Sequence, residues 1–217
     1  MLPSELLDLF RTEMADTAQP YLWSDDFIVG AIDDAQKQFA RLTDGIPDST
    51  TTAVVDLVIA PTYTDVLALH PSIIKIRSAY RVGEGTPVEV LNVEDMAQRG
   101  MRFDGRTGRV QALITGMDPD SVRLWPFPNW DDTVRLSVFR MPLTTITDDE
   151  PLEIPPQHHL GLMKWLKHRA YSVHDAEQYD KTKAADFEEQ FYSYCARAKT
   201  EQARARHKPR SVAYGGI

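Results

Sequence analysis

The sequence contains one cysteine, and none of its 217 residues falls in a run of eighteen apolar positions. The single Cys195 excludes a disulfide-stapled fold, and a chain of this length can bury a core without such a bridge. Because a long apolar run is missing, we expect no membrane-spanning helix. The opening residues lack the basic segment of a signal peptide, so we expect synthesis in the cytoplasm.

Basic side chains are scarce, with 24 Lys and Arg against 32 Asp and Glu, which gives a net charge of -8. The shortage is uneven. Residues 1–50 carry 10 acidic and 3 basic side chains, residues 51–150 carry 14 and 10, and residues 151–217 carry 8 and 11. An acidic body repels phosphates, which argues against tight DNA binding through most of the surface. The basic C-terminal end is a candidate contact for an acidic partner.

Motifs that carry enzymatic chemistry are also missing. The sequence has no HExxH, no paired cysteines for zinc and no GxxxxGK[ST] phosphate loop. The adjacent His158 and His159 are interpreted as surface or capping residues. Cys195 lies among aromatic residues, as is typical of a small core residue rather than a nucleophile. We therefore predict no catalytic residue, no metal site and no cofactor.

Acidic clusters are the remaining argument for an enzyme. They are Asp25-Asp26, Asp33-Asp34, Asp131-Asp132 and Asp148-Asp149-Glu150. Paired carboxylates can bind the magnesium ion of a nuclease. Two of these clusters fall at the cap or on the solvent face of a predicted helix, and two fall in turns, which are ordinary places for aspartate. A metal-dependent hydrolase or nuclease stays open as an alternative.

Helical periodicity occurs near both ends of the chain. Ser4 is predicted to cap a helix over 5–16, and Ser24 a second helix whose apolar residues recur every three or four positions. The apolar stripe is Phe27, Ile28, Ala31, Ile32, Ala35, Phe39 and Leu42, and the residues predicted to face away are Asp33, Asp34, Gln36, Lys37 and Gln38. Two more helices are predicted over 157–175 and about 181–206.

The middle of the chain has short β-branched runs between turn formers. The predicted strands cover residues 54–59, 73–82, 87–93, 109–115, 121–127 and 133–141. Their close spacing predicts an antiparallel meander or small sandwich. The fold class is therefore α+β: a helical bundle from both chain ends, residues 1–49 and 154–206, with an inserted β domain at 50–153. Residues 207–217, interrupted by Pro209, are predicted to form an extended arm.

Two features are candidate contacts with a partner. The first is an aromatic segment with Trp125 and Trp130, predicted either as a contact patch or as a satellite core under a loop. The second is the basic C-terminal run. Its candidate partner-binding residues are Arg204, Arg206, Lys208, Arg210, Val212 and Tyr214. The competing interpretation of this run is a solvated helix face with a frayed end.

Four segments carry a family resemblance. They are WSDDFIVGAIDDAQKQFARL, LALHPSIIKIRSAYRVGEGTPVEV, VRLWPFPNWDDTVRLSVFRMPL, and the helix after IPP that leads into AEQYDKTKAADFEEQFYSYCARA. In this order, over residues 20–205, they resemble the head-to-tail adaptor (neck or connector) proteins of tailed bacteriophages. The third segment contains Pro126-Phe127-Pro128 and Arg140-Met141-Pro142, which match two strand ends of that family. The motifs are short, so their order carries the resemblance.

The resemblance implies a structural virion protein, not an enzyme. It implies a ring of about twelve copies below the portal, which connects the capsid to the tail and lets DNA pass. The implied partners are further copies, the portal protein, tail or nozzle proteins and phage DNA without sequence-specific binding, with no membrane. The implied location is the virion neck, after synthesis in the host cytoplasm. Another virion or tail-assembly protein of similar plan stays open as a second alternative.

Overall fold

The described residues of the computed structural model are 1–61, 65–103, 105–147, 150–173 and 179–206. The predicted arm at 207–217 lies outside them. The chain divides into two compact units, one formed by Met1–Thr43 with Thr144–Ile217 and the other by Asp44–Leu143. We call them the helical unit and the sheet unit. No helix in the described part of the chain is long and apolar enough to cross a membrane.

The helices and strands follow one another along the chain, with runs of consecutive strands in its middle. They are α1 (Pro3–Glu13), α2 (Asp25–Leu42), β1 (Ile46–Asp48), α3 (Thr52–Val55), β2 (Asp56–Ile59), β3 (Val66–Ala68), β4 (Ile73–Arg81), β5 (Pro87–Asn92), α4 (Val93–Gln98), β6 (Thr107–Gly108), β7 (Ala112–Thr115), β8 (Ser121–Trp125), β9 (Phe127–Pro128), β10 (Asp132–Arg140), a 3₁₀ helix (Pro156–Leu162), α5 (Met163–Tyr171) and α6 (Lys181–Arg206). Helices therefore stand at both ends of the chain and strands dominate its middle.

Both chain ends supply helices to the helical unit. α2 begins at its predicted cap, where the Ser24 hydroxyl accepts a hydrogen bond from the Phe27 N–H at 3.2 Å. α2 packs against both α5 and α6, and α1 packs against α2 and α5. Fully buried side chains of this unit come from both ends: Leu6, Phe10, Ile28, Ile32, Phe39, Leu162, Leu166 and Phe191. The predicted packing of N-terminal against C-terminal helices is confirmed.

The first helix starts earlier than predicted. Its N-cap is Leu2 rather than Ser4, and its last residue is Glu13. The Leu2 N–H donates to the Glu5 carboxylate at 2.8 Å, which satisfies one backbone donor at the helix start. Glu5 therefore fixes the beginning of α1, where the sequence pattern favoured the serine.

Two further predictions for this unit need correction. The helix predicted over 157–175 begins as a 3₁₀ helix, and its α-helical part ends at Tyr171. Gln36, predicted to face solvent, is 1% exposed. Its side-chain oxygen accepts the Glu153 N–H at 2.8 Å. A buried amide with a backbone partner stabilises the junction of α2 with the segment before the 3₁₀ helix.

The sheet unit holds one large sheet and one small strand pair among its described residues. The large sheet runs β1-β10-β4-β5-β7-β8-β3, and β2 also pairs with β10. Most pairs are antiparallel, but β5–β7 and β6–β9 are parallel. The predicted α+β class is confirmed, while the sheet is mixed rather than a simple meander. The chain leaves β5 through α4 and re-enters in the same direction at β7, which a parallel pair requires.

One face of the large sheet encloses the main cluster of buried apolar residues. In β10 this face is Val134, Leu136 and Val138, as alternation predicts. The other members include Val54, Val55, Leu57, Ile59, Ile76, Ala79, Val88, Val110, Leu113, Val122 and Leu124. Because strands from across the sheet contribute to this one cluster, the sheet curls around it.

A second cluster lies on the opposite face of β5 and β7. It consists of Leu91, Met96, Ala112 and Ile114, with Met101, Phe103 and Trp125 packed against it. Met96 comes from α4, a helix that the sequence analysis did not predict. The Asn92 side chain caps it by accepting the Asp95 N–H at 2.6 Å.

Three predicted strands differ clearly from those observed. The strand predicted at 121–127 ends at Trp125 in β8, and Phe127 belongs to the separate strand β9. The run at 54–59 starts as the short helix α3 and becomes a strand only at Asp56. Val54 and Val55 are buried in the main cluster, so their β-branched character reflects burial, not extended backbone. The strand predicted at 109–115 is confined to Ala112–Thr115.

Candidate functional site

The aspartate pair on α2 makes structural contacts. Asp34 Oδ2 accepts the Trp165 Nε1–H at 2.8 Å, and Asp33 Oδ2 lies 2.6 Å from Lys37 Nζ. Across the described residues, no group of three His, Cys, Asp or Glu side chains could hold a metal ion. Residues 148–149 lie outside the described residues. The α2 pair therefore helps to hold the helical unit together.

His158 and His159 are buried at 4% and 2% exposure, so the first alternative of the interpretation as surface or capping residues is wrong. His158 Nδ1 lies 2.9 Å from Tyr194 Oη, and His159 Nε2 lies 2.8 Å from the Ile154 carbonyl oxygen. Burial lowers the pKa of both imidazoles and raises the pKa of Tyr194. Neutral rings with hydrogen-bond partners can be accommodated in a core, and these two stabilise the 3₁₀ helix against its neighbours.

Cys195 is a core residue of α6, as predicted. Its side chain is 1% exposed. Burial raises the pKa of its thiol to about 12. Because the thiolate is the nucleophilic form, this cysteine is inert near neutral pH.

The basic C-terminal run begins on the last turns of α6. Arg204 is exposed there, and Arg206 is the final residue of the helix. The remaining candidates, Lys208, Arg210, Val212 and Tyr214, lie outside the described residues. Their role in partner binding stays a prediction.

The two tryptophans of the predicted patch have different environments. Trp125 is partly buried against the second cluster, and its Nε1–H donates to the Arg102 carbonyl at 3.1 Å. Trp130 is 59% exposed, and the Arg109 guanidinium lies 6.0 Å from its ring centroid. The satellite-core interpretation therefore describes Trp125, and the contact-patch interpretation suits Trp130.

Trp130 lies just before β10. Beside β10, Val58 and Val82 are exposed apolar residues. Thr133 of β10 is opposite Val58 of β2, and its carbonyl accepts the Val82 N–H at 2.9 Å. Val58 of β2, Thr133 of β10 and Val82, the residue after β4, thus form one row on the face opposite the main cluster. Val58 is 72% exposed and Val82 is 41% exposed. We call these three residues the outer row.

An ion pair borders the outer row. Arg135 lies two residues along β10 and donates two hydrogen bonds to Asp56, both of 2.6 Å. These hydrogen bonds raise the pKa of Arg135 and lower that of Asp56. On the other side of Arg135 lies Tyr80, which is 37% exposed. Exposed apolar residues with polar surroundings are typical of interaction surfaces.

Sequence reasoning did not single out the outer row. Val58 belongs to the run predicted as a strand over 54–59, and that prediction assigned no faces to its residues. The signal that could have found it is parity, because Leu57 and Ile59 face the core and the residue between them must face outward.

An exposed tryptophan and exposed valines beside an ion pair are typical of an interaction surface. The comparisons with known proteins identify the family. The family model for SU10 adaptor protein matches residues 1–213, and the chain belongs to this phage head-tail adaptor family. The resemblance found in the sequence is thereby confirmed. The family is named for an adaptor and not for an enzyme. Comparison with curated proteins gave no significant match.

Proposed function

We propose that the chain forms a ring of about twelve copies below the portal of a tailed phage. The observation that carries this proposal is the family match over residues 1–213. In the virion neck such a ring connects the capsid to the tail. Its partners are further copies of the chain, the portal protein and tail or nozzle proteins.

The charge of the chain supports passage of DNA through such a ring. The net charge of -8 makes the body weakly repulsive towards phosphates. A duplex can then move through the lumen without being held at fixed positions. Contact with DNA is consequently transient and independent of base sequence.

The proposed contact surfaces are the basic C-terminal run and the aromatic segment. The run from Arg204 to Tyr214 supplies cations and two apolar side chains for the portal or a neighbouring copy. Trp130 and the two valines of the outer row supply exposed apolar side chains. Trp125 contributes by fixing the segment that presents Trp130, since it packs against the second cluster.

Measurement of mass tests the proposed function. Purified chain mixed with portal should add close to twelve copies of 24.6 kDa to each portal assembly. A chain that stays monomeric with portal and hydrolyses nucleic acid when magnesium is added would instead support the nuclease alternative.

A further inference from the structure

Strands β4 and β5 separate from each other part-way along the sheet. Their ladder has only two residue pairs, Ala79 with Val88 and Tyr80 with Pro87. Beyond these pairs β5 turns away to run parallel to β7. The first half of β4 still pairs with β10 on one side. On its other side, no residue of this half of β4 is paired with β5.

The separation creates a cleft of about 430 Å³ within the sheet unit. Its floor is apolar, because Ile73 and Val90 pack against the main cluster below. Ile74, on its wall, is 46% exposed. A strand edge without a ladder partner, beside an apolar floor, is a template for an added strand.

The rim of the cleft is acidic. Asp95, Asp118 and Asp120 line it against a single cation, Lys75. Asp118 is bound by Arg123 at 3.2 Å. No ion pair of Asp95 or Asp120 is found among the described residues, so two carboxylates face solvent at the cleft without a cation. A strand that entered here would bind better with basic side chains.

We propose that the cleft binds the C-terminal segment Arg210–Tyr214 of a second copy of this chain as an added strand between β4 and β5. In an extended segment Arg210, Val212 and Tyr214 project to the same side. The two apolar side chains would cover the cleft floor, and the arginine, at the end of this row, would extend its long side chain to the acidic rim. Five strand residues span about 16 Å, which matches the open stretch of β4 from Ile73 to Arg77.

The occupant comes from a second copy because cleft and segment are different, complementary surfaces of one chain. An acidic apolar cleft that accepts a basic apolar strand makes a head-to-tail contact, and repeated head-to-tail contacts close a ring. The inference therefore deepens the ring proposed above and rests on it. It assigns the contact between copies to backbone pairing, and the contact with the portal to other surfaces.

Disulfide trapping between two full-length variants tests the assignment. One variant carries Ile74→Cys in the cleft, and the other carries Val212→Cys. They are mixed, with and without portal, under mild oxidation. Cys195 does not interfere, because it is 1% exposed and its thiol pKa is about 12. We expect a crosslinked species of twice 24.6 kDa, which forms at least tenfold less in 1 M salt because ion pairs are screened there.

The matched control replaces Ile74→Cys by Leu160→Cys, which is more exposed and lies in the helical unit. It should crosslink at least tenfold less. Equal trapping at both positions, or none at Ile74→Cys, overturns the assignment. A third variant carries both Ile74→Cys and Val212→Cys. If it crosslinks within its own chain while the mixed single variants do not crosslink, the assignment is also overturned, because the segment then returns to its own copy. Electron microscopy of the same mixtures shows separately whether rings form, so a ring without trapping rejects the cleft and leaves the proposed function intact.

Discussion

The Arg140 Nε donates to Asp48 Oδ2 at 2.7 Å, although 92 positions separate the two residues. Both side chains are almost fully buried. Burial alone would raise the pKa of Asp48, but hydrogen bonds from the Thr50 N–H, from Arg140 and from Thr51 together lower it. This pair joins β1 to the end of β10 and so ties the first residues of the sheet unit to its last strand.

Asp48→Asn should destabilise the sheet unit by about 3–5 kcal/mol, because it removes the charge of one member of a buried, hydrogen-bonded ion pair. Urea unfolding followed by circular dichroism measures the change. The control is Glu89→Gln, which removes an exposed partner of Arg99 and should change stability by less than about 1 kcal/mol. Equal losses in the free energy of unfolding would show that the buried pair stabilises the fold no more than an exposed pair does.

The buried histidines predict a loss of stability in mild acid. Their folded pKa lies below the unfolded value of about 6.5, so the unfolded chain binds more protons as the pH falls below that value. Each ring should remove at most about 1.4 kcal/mol per pH unit. Unfolding at pH 7.5 and 5.5 is compared between the wild type and the double variant His158→Gln with His159→Gln. An unchanged pH dependence in the double variant would contradict the assignment to these rings.

Gly161 lies against the Tyr194 ring. A Cβ at this position would lie 2.1 Å from Tyr194 Cε1, so Gly161→Ala should destabilise the helical unit by about 1–3 kcal/mol. The control is Gly30→Ala on α2, where nothing lies within 4 Å of the added atom. That substitution should stabilise by up to about 1 kcal/mol through helix propensity.

A double variant separates the clash from other effects. When Tyr194→Ala is combined with Gly161→Ala, the two losses should not add, because the first removes the atoms that the second meets. Additive losses in thermal unfolding would mean that Gly161 acts through backbone freedom instead.

The sequence predicted the order of the two units along the chain but not the exact residues at their boundaries. The turn-rich middle and the apolar helical stripes predicted helices from both ends and strands between them. The predicted limit at residue 153 was ten residues beyond the last residue of the sheet unit, Leu143. The segment after Leu143 is buried in the helical unit through Ile146, Leu152 and Ile154. This segment is not helical and its burial depends on α2, so no local periodicity in the sequence indicates the unit to which it belongs.

Some features of the candidate surfaces were beyond sequence reasoning. The sequence left the aromatic segment open between a contact patch and a satellite core, and the cleft arises from the separation of β4 and β5. That separation depends on the parallel pairing of β5 with β7, a long-range choice that composition does not encode locally. The buried histidines were missed for a related reason, since their partners Tyr194 and Ile154 are fixed only by tertiary packing.

Deletion of the sheet unit tests whether the helical unit folds alone. Removing residues 44–143 and joining the ends by a Gly/Ser linker should leave a fragment with helical circular dichroism and a cooperative thermal transition. A fragment that lacks residues 50–153 should unfold at a lower temperature than the fragment that lacks residues 44–143. The longer deletion also removes the buried Ile146 and the Glu153 N–H, which donates to the Gln36 side chain. Loss of helical signal in the shorter deletion would show that the helical unit needs the sheet unit.

The chain should have no nuclease or phosphatase activity with magnesium, manganese or zinc. Asp34 is held by Trp165 and Asp33 by Lys37, so neither carboxylate is arranged for metal chemistry. Activity is assayed for the wild type and for Asp33→Asn with Asp34→Asn. Turnover in the wild type that disappears in the double variant would revive the nuclease alternative.

Electron microscopy of the purified chain bound to its portal tests the central claim most directly. The account predicts a closed ring of this chain on the tail-facing side of the portal, with a lumen wide enough for duplex DNA. Particles in which portal carries no added ring, at concentrations where both proteins are folded, would contradict the assignment as a head-to-tail adaptor.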